Sequence, residues 1–160
     1  MDAYQAAPAG PGALALATEP LAAGEADERG YAPATTNIFL VFLATGEATF
    51  IATSPAYPPN WPLIANERYI IWTEDYCGLP QGTTRIYERT SGTITAIDAS
   101  LWLDGFTPDG LLATGAFGAK ALIDPQSLEY TGILPGGGDS SWSPDYRYAS
   151  MEVIGHGGLC

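Results

Sequence analysis

Three features of the 160-residue sequence predict an all-β chain made of repeated four-stranded antiparallel sheets. From Asn37 onward, short apolar runs alternate with Gly, Pro, Asp and Asn every few residues, the punctuation of strands joined by tight turns. One turn recurs: Phe106-Thr107-Pro108-Asp109-Gly110 lines up with Trp142-Ser143-Pro144-Asp145-Tyr146, 36 residues later, and Leu63-Ile64-Ala65-Asn66-Glu67 is a degenerate copy 43 residues before it. A second hairpin type interleaves with the first, around Ala44-Thr45-Gly46-Glu47, Ser91-Gly92-Thr93 and Pro125-Gln126-Ser127-Leu128, at spacings of 46 and 36. Two alternating hairpins make a four-stranded unit. Long helical patterns are absent.

Each turn has a mechanism. Proline sets φ for the second position of a type I turn, aspartate supports the turn by bonding to the following backbone, and Gly110 accepts the exit geometry. In the second hairpin type, Gly46 and Gly92 supply the positive φ that short loops demand. Apolar and β-branched residues flank these turns, Ile38, Leu40 and Phe42 in one hairpin and Ile94 and Ile97 in another, as face-to-face sheets require.

Along the chain, residues 1–36 are rich in Ala, Pro and Gly, as in Ala6-Ala7-Pro8-Ala9-Gly10-Pro11-Gly12, without a sustained period of 2 or 3.6. They read as a flexible leader. The folded part spans 37–160: an outer hairpin at 37–53, a four-stranded unit at 60–98, a second at 100–134 and an inner hairpin at 139–154. Four-stranded antiparallel sheets repeating at this interval are the sequence pattern of β-propeller blades.

The aromatic-Ser/Thr-Pro-Asp turn, at Phe106 to Gly110 and Trp142 to Tyr146 with the degenerate copy at Leu63 to Glu67, resembles the TolB-like repeat, also found in the propeller domains of prolyl oligopeptidase relatives. Tyr146 stands where that repeat has glycine, and Ala65-Asn66 where it has Ser-Pro-Asp or its like. The resemblance implies a propeller over about 37–160 and specifies no activity, because unrelated functions share propellers. The strands amount to about three blade equivalents, whereas rings usually close with four to eight. The expectation is therefore a partial propeller, either a fragment of a longer ring or one completed by another copy. Because the folded part opens on outer strands and stops on inner ones, the second case is a homodimer through blade edges, with 139–154 of one chain pairing to 37–53 of the other.

Charge narrows the partners. Eighteen Asp and Glu against six Lys and Arg give a net charge of -12 and a pI near 4.1, with Lys120 the only lysine. Such a surface repels phosphate backbones, so neither nucleic acid nor an anionic membrane is an expected partner. No stretch reaches the roughly 18 to 20 apolar residues of a membrane span. Residues 1–20 lack the basic start and continuous apolar core of a secretory signal.

A search for chemistry finds no catalytic constellation. His156 is the only histidine, too few for a histidine-rich zinc site, and the nucleophile-elbow pattern Gly-x-Ser-x-Gly does not occur. Cys77 and Cys160 match no zinc or redox spacing and read as separate thiols. Gly136-Gly137-Gly138 precedes a strand rather than the helix of a phosphate loop. Asp104, Asp109, Asp124 and Asp145 fall beside turns, where aspartate bonds the local backbone, and no Asp-x-Asp-x-Asp calcium spacing appears. No cofactor or metal is expected.

The aromatics carry the remaining signal. Trp72, Tyr69 and Tyr148 sit at strand positions and are expected between blades. Tyr57, Trp61, Tyr76 and Trp102 lie near loops and are the candidate partner surface. The function expected is a non-catalytic binding or scaffolding module for a protein or peptide. The alternatives are the regulatory propeller of a prolyl-oligopeptidase-like enzyme whose catalytic domain lies outside this chain, and a self-associating structural module.

Overall fold

The computed structural model describes residues 3–18, 21–22, 24–25, 34–56, 63–74, 82–99, 101–114, 120–134, 141–142 and 149–150. Every regular element among them is a β-strand, and none of the described residues forms a helix long and apolar enough to cross a membrane. The chain divides into two compact units, Met1–Leu103 and Asp104–Cys160.

The first unit holds two sheets. Sheet one comprises β1 (Ala3–Pro8), β2 (Ala13–Thr18), β3 (Leu21–Ala22), β4 (Ala34–Phe42) and β5 (Glu47–Ala56), all pairs antiparallel. β2 pairs with β4 from Ala13↔Phe42 to Ala17↔Ile38, and β3 continues along the same edge at Leu21↔Thr35 and Ala22↔Ala34. β5 takes the other edge of β4 from Phe42↔Glu47 to Ala34↔Ala56. β2 and β3 are thus two pieces of one interrupted strand, and the sheet is four strands wide. Sheet two runs in the order β6 (Leu63–Ala65), β7 (Tyr69–Glu74), β8 (Thr83–Glu88), β9 (Thr93–Ile97).

The expected flexible leader at 1–36 is corrected by this arrangement: β1, β2, β3 and the first residues of β4 lie inside it. The reason is visible in Ala13-Leu14-Ala15-Leu16-Ala17, where Ala13, Ala15 and Ala17 are buried and the leucines between them only half-buried. The period is 2, yet the alternation is of size rather than polarity, so a hydrophobic-to-polar pattern does not reveal it. The correction also removes the expected dimer pairing. The hairpin predicted at 37–53 exists as β4 and β5, but the edge of β4 that 139–154 of a second chain was to fill is occupied by β2 and β3 of the same chain.

In the second unit the sheet order is β10 (Leu103–Phe106), β11 (Leu112–Thr114), β12 (Lys120–Ile123), β13 (Tyr130–Leu134), and β14 (Ser141–Trp142) pairs with β15 (Ala149–Ser150). The described strands therefore form three sheets four strands wide and one strand pair. This is the blade pattern that the alternating hairpins predict, with one more complete blade at the start.

The turns repeat with the sheets. Gly46, Gly92 and Leu128 each donate a backbone N–H at 2.8 Å to the carbonyl four residues earlier, of Phe42, Glu88 and Asp124. Their φ values are 69°, 70° and 64°, so Leu128 occupies a conformation that the other two sheets give to glycine. At the other hairpin, Thr107 N bonds Leu111 O at 2.9 Å and Ala9 N bonds Ala13 O at 3.0 Å. Ala9-Gly10-Pro11-Gly12-Ala13 is thus the first copy of the Thr107–Leu111 turn, without its aspartate. The side chain closing the later copy is Thr107, whose hydroxyl accepts from Leu111 N at 3.0 Å. In the middle copy Asn66 Oδ1 accepts from Arg68 N at 2.8 Å and Tyr69 N at 2.7 Å.

The core of the first unit lies between its two sheets. Ala7, Ala13, Ala15, Ala17, Ile38 and Leu40 of sheet one pack against Leu63, Ile70 and Trp72 of sheet two. The small alanine row is what lets the second sheet bring in an indole that is 1% exposed. Trp72 Nε1 finds no acceptor there. Leaving a buried donor unpaired costs about 1–3 kcal/mol, which the burial of so large a ring offsets.

Candidate functional site

Among the four aromatics singled out from the sequence, Tyr57, Trp61 and Tyr76 lie outside the described residues. Trp102 lies within them and is 61% exposed. Its position follows from two buried threonines on the central strands of sheet two, Thr73 on β7 and Thr84 on β8, which pair directly. Thr84 Oγ1 donates to Ala99 O at 2.8 Å and accepts from Leu101 N at 3.0 Å; Thr73 Oγ1 donates to Leu101 O at 2.9 Å. Each hydroxyl has one proton, so both are committed to the backbone, and the 3.4 Å approach of the two oxygens is a contact rather than a third bond. The residue before Trp102 is therefore held through both its N–H and its carbonyl.

This is a fixed platform with an exposed indole on it. A large aromatic whose backbone is already ordered loses little conformational freedom on contact with a partner, the property that makes tryptophan frequent at interface centres. The sequence marks Trp102 as an aromatic near a loop. It does not mark Thr73 and Thr84, because threonine in a strand is what β-propensity alone expects.

The acidic and basic side chains take other roles. Glu74 Oε2 accepts from Arg85 Nε at 2.9 Å, and its other oxygen accepts from Ser54 Oγ of sheet one at 3.2 Å. Arg68 Nε and Nη2 donate to Glu88 Oε1 at 2.9 and 2.7 Å on the surface. The Arg68 guanidinium, helped by the Ser91 hydroxyl, holds the Glu88 carboxyl below the usual carboxylate range. Asp104 lies 3.3 Å from Lys120, whose side chain is only 9% exposed. A lysine so enclosed next to a carboxylate reads as a structural ion pair in the second unit, and its position at the head of Lys120-Ala121-Leu122-Ile123 was the available sign. Asp124 Oδ1 accepts from Gln126 N at 2.8 Å, the turn role expected of it. Among the described residues no group of three or more His, Cys, Asp or Glu could hold a metal ion. His156, Cys77, Cys160, Asp145 and Gly136-Gly137-Gly138 lie outside the described residues.

No family model matches the chain. No curated protein matches it either. Among solved structures it is similar to the crystal structure of TolB from Acinetobacter baumannii, at 14% sequence identity and a TM-score of 0.49, over 91% of this chain and 47% of that one. The chain spans about half the length of that protein. The blade architecture stands on the strand order of the three four-stranded sheets themselves.

Proposed function

We propose that the chain is a non-catalytic binding module for a protein or peptide, with Trp102 at the centre of the contact. The observation that supports this reading is the pairing of an indole 61% exposed with a backbone anchored by Thr73 and Thr84. A net charge of -12 favours a neutral or basic partner segment over an acidic one.

Selection of displayed peptides against the immobilised chain tests the reading, followed by titration of the recovered sequences against the native chain and Trp102→Ala. Binding that weakens about 30-fold in Trp102→Ala, the scale of a hot-spot aromatic, is the expected result. Peptides that bind both forms equally, or a selection that yields none, would overturn it.

A further inference from the structure

The outward face of sheet one carries an inference independent of Trp102. Strand alternation places Ala7, Ala15, Ala17, Ile38 and Leu40 against sheet two, so the residues between them point the other way. On that outward face Ala6, Leu16, Phe39 and Phe50 form one cross-strand row, and Pro8, Leu14 and Val41 belong to the next. All are half-buried or exposed, and Phe39 meets Phe50 edge to face at 5.6 Å.

The repeat register says what such a face receives. With the Gly46 and Gly92 turns superposed, Val41 falls on Tyr87. Their cross-strand partners then bring Leu14 onto Ile70 and Leu16 onto Trp72, and next to them Pro8 onto Ala65 and Ala6 onto Leu63. In sheet two each of these residues packs in the core shared with the alanine-lined side of sheet one. Sheet one keeps an apolar residue at every counterpart, and in the place of Arg85, which is ion-paired in sheet two, it has Phe39. None of these residues is ionisable, on a chain of net charge -12.

We propose that a further antiparallel sheet covers this face, standing to sheet one as sheet one stands to sheet two, with an apolar, small-residue side turned inward. A second copy of the chain cannot present that side of its own sheet one, because its sheet two already lies there. The covering side carries no charge, since a carboxylate buried on this face would find no counter-charge. Such a sheet need not bury the ~800 Å² per partner of a free-standing interface, because a chain connection holds it at high effective concentration. Sheet one is joined to sheet two in this way, through residues 57–62.

A chain in which residues 3–62 are repeated ahead of Ala3 places a sheet with the alanine row in that position. The probe is Val41→Cys in the receiving sheet, in chains lacking Cys77 and Cys160, labelled with a soluble thiol reagent. The expected result is labelling about 10-fold or more slower in the repeated chain than in the single one. Because Leu16 is smaller than Trp72, a second repeated chain carries Leu16→Trp in the receiving sheet, which fills the gap. Ala15→Glu in the added sheet puts a carboxylate on the covering side and should restore the single-chain rate. Equal rates in the single chain and both repeated chains, an added sheet that stays unfolded by circular dichroism, or protection that survives Ala15→Glu would overturn the proposal. So would protection in the single chain that grows with concentration alongside a dimer in sedimentation, which would give the face to a second copy.

Discussion

Arg89 donates from its guanidinium to the carbonyl oxygen of Ala9, 80 residues earlier in the chain, and the same nitrogen reaches Asn66 O at 3.2 Å. One side chain on sheet two thereby closes on the inner turn of both sheets of the first unit, and its own N–H bonds Arg68 O at 2.9 Å. Lysine keeps the charge but replaces the weakly hydrated, planar guanidinium with a compact, strongly hydrated ammonium on a flexible stem. Arg89→Ala is expected to lower the unfolding free energy by about 2 kcal/mol, and Arg89→Lys by about half of that, in urea denaturation followed by tryptophan fluorescence. Equal stability in all three forms would mean that the clasp contributes nothing.

Gly10 sits at the same joint. It has a φ of 93°, and a β-carbon there would lie 2.4 Å from Glu67 Cγ. Gly10→Ala is expected to cost about 1–2 kcal/mol from backbone strain, plus whatever it takes to displace Glu67. Adding Glu67→Ala should recover the second part and leave the first, so the double variant falls between Gly10→Ala and the native chain. Full recovery would show that φ is not the constraint.

Leu128 gives the opposite sign. It holds a φ of 64° where the matching turns have Gly46 and Gly92. Replacing it by glycine removes left-handed strain of about 1–2 kcal/mol and adds unfolded-state freedom of about 0.5–1 kcal/mol. Leu128→Gly should therefore raise stability by roughly 0.5 kcal/mol, seen as a higher urea midpoint, while Gly92→Leu should lower it.

Thr84→Val is close to isosteric, so it isolates the hydroxyl. Leu101 N would lose its acceptor in a partly enclosed setting, at a cost of about 1–3 kcal/mol. Thr73→Val removes one donor to Leu101 O and should cost less. If pinning of the segment before Trp102 matters to binding, Thr84→Val also weakens the selected peptides, and Trp102 fluorescence anisotropy falls. An unchanged anisotropy would separate stability from positioning.

The pH dependence has a defined direction at Glu88. Its carboxyl titrates below its ordinary value because Arg68 and Ser91 stabilise the charged form. A carboxyl depressed in the folded state contributes stability above its unfolded pKa and loses it as pH falls through the lowered folded value. The difference in melting temperature between the native chain and Glu88→Gln should accordingly be present near neutrality and shrink in acid. A difference that persists unchanged into acid would assign it to something other than this pair.

Sheet two and the four-stranded sheet of the second unit were legible because their strands are bounded by turn chemistry and built largely of apolar and β-branched residues. Phe106 to Gly110 carried the register, and the Gly46 and Gly92 turns fell at their expected spacing. Sheet one was half-legible. Its β4 and β5 follow the same rules, whereas β1 and β2 are written in alanine, leucine and proline, a composition shared with linkers. The first turn, Ala9 to Ala13, also lacks the aspartate and the aromatic that identify the later copies. At the candidate site the indole was legible and its anchorage was not, because Thr73 and Thr84 act on backbone groups 28 and 15 residues away.

The alanine row between the sheets makes tolerance to change one-sided. Alanine is the smallest residue that still presents a β-carbon, so at Ala13, Ala15 and Ala17 nearly every substitution adds volume, and in a packed interior added volume must move a neighbour. Across the joint, Trp72 can change only by shrinking, which leaves a void. A complete substitution survey of the first unit would then show two interleaved patterns, positions that reject enlargement facing positions that reject reduction. The spacing of the two sheets would be readable from that survey alone.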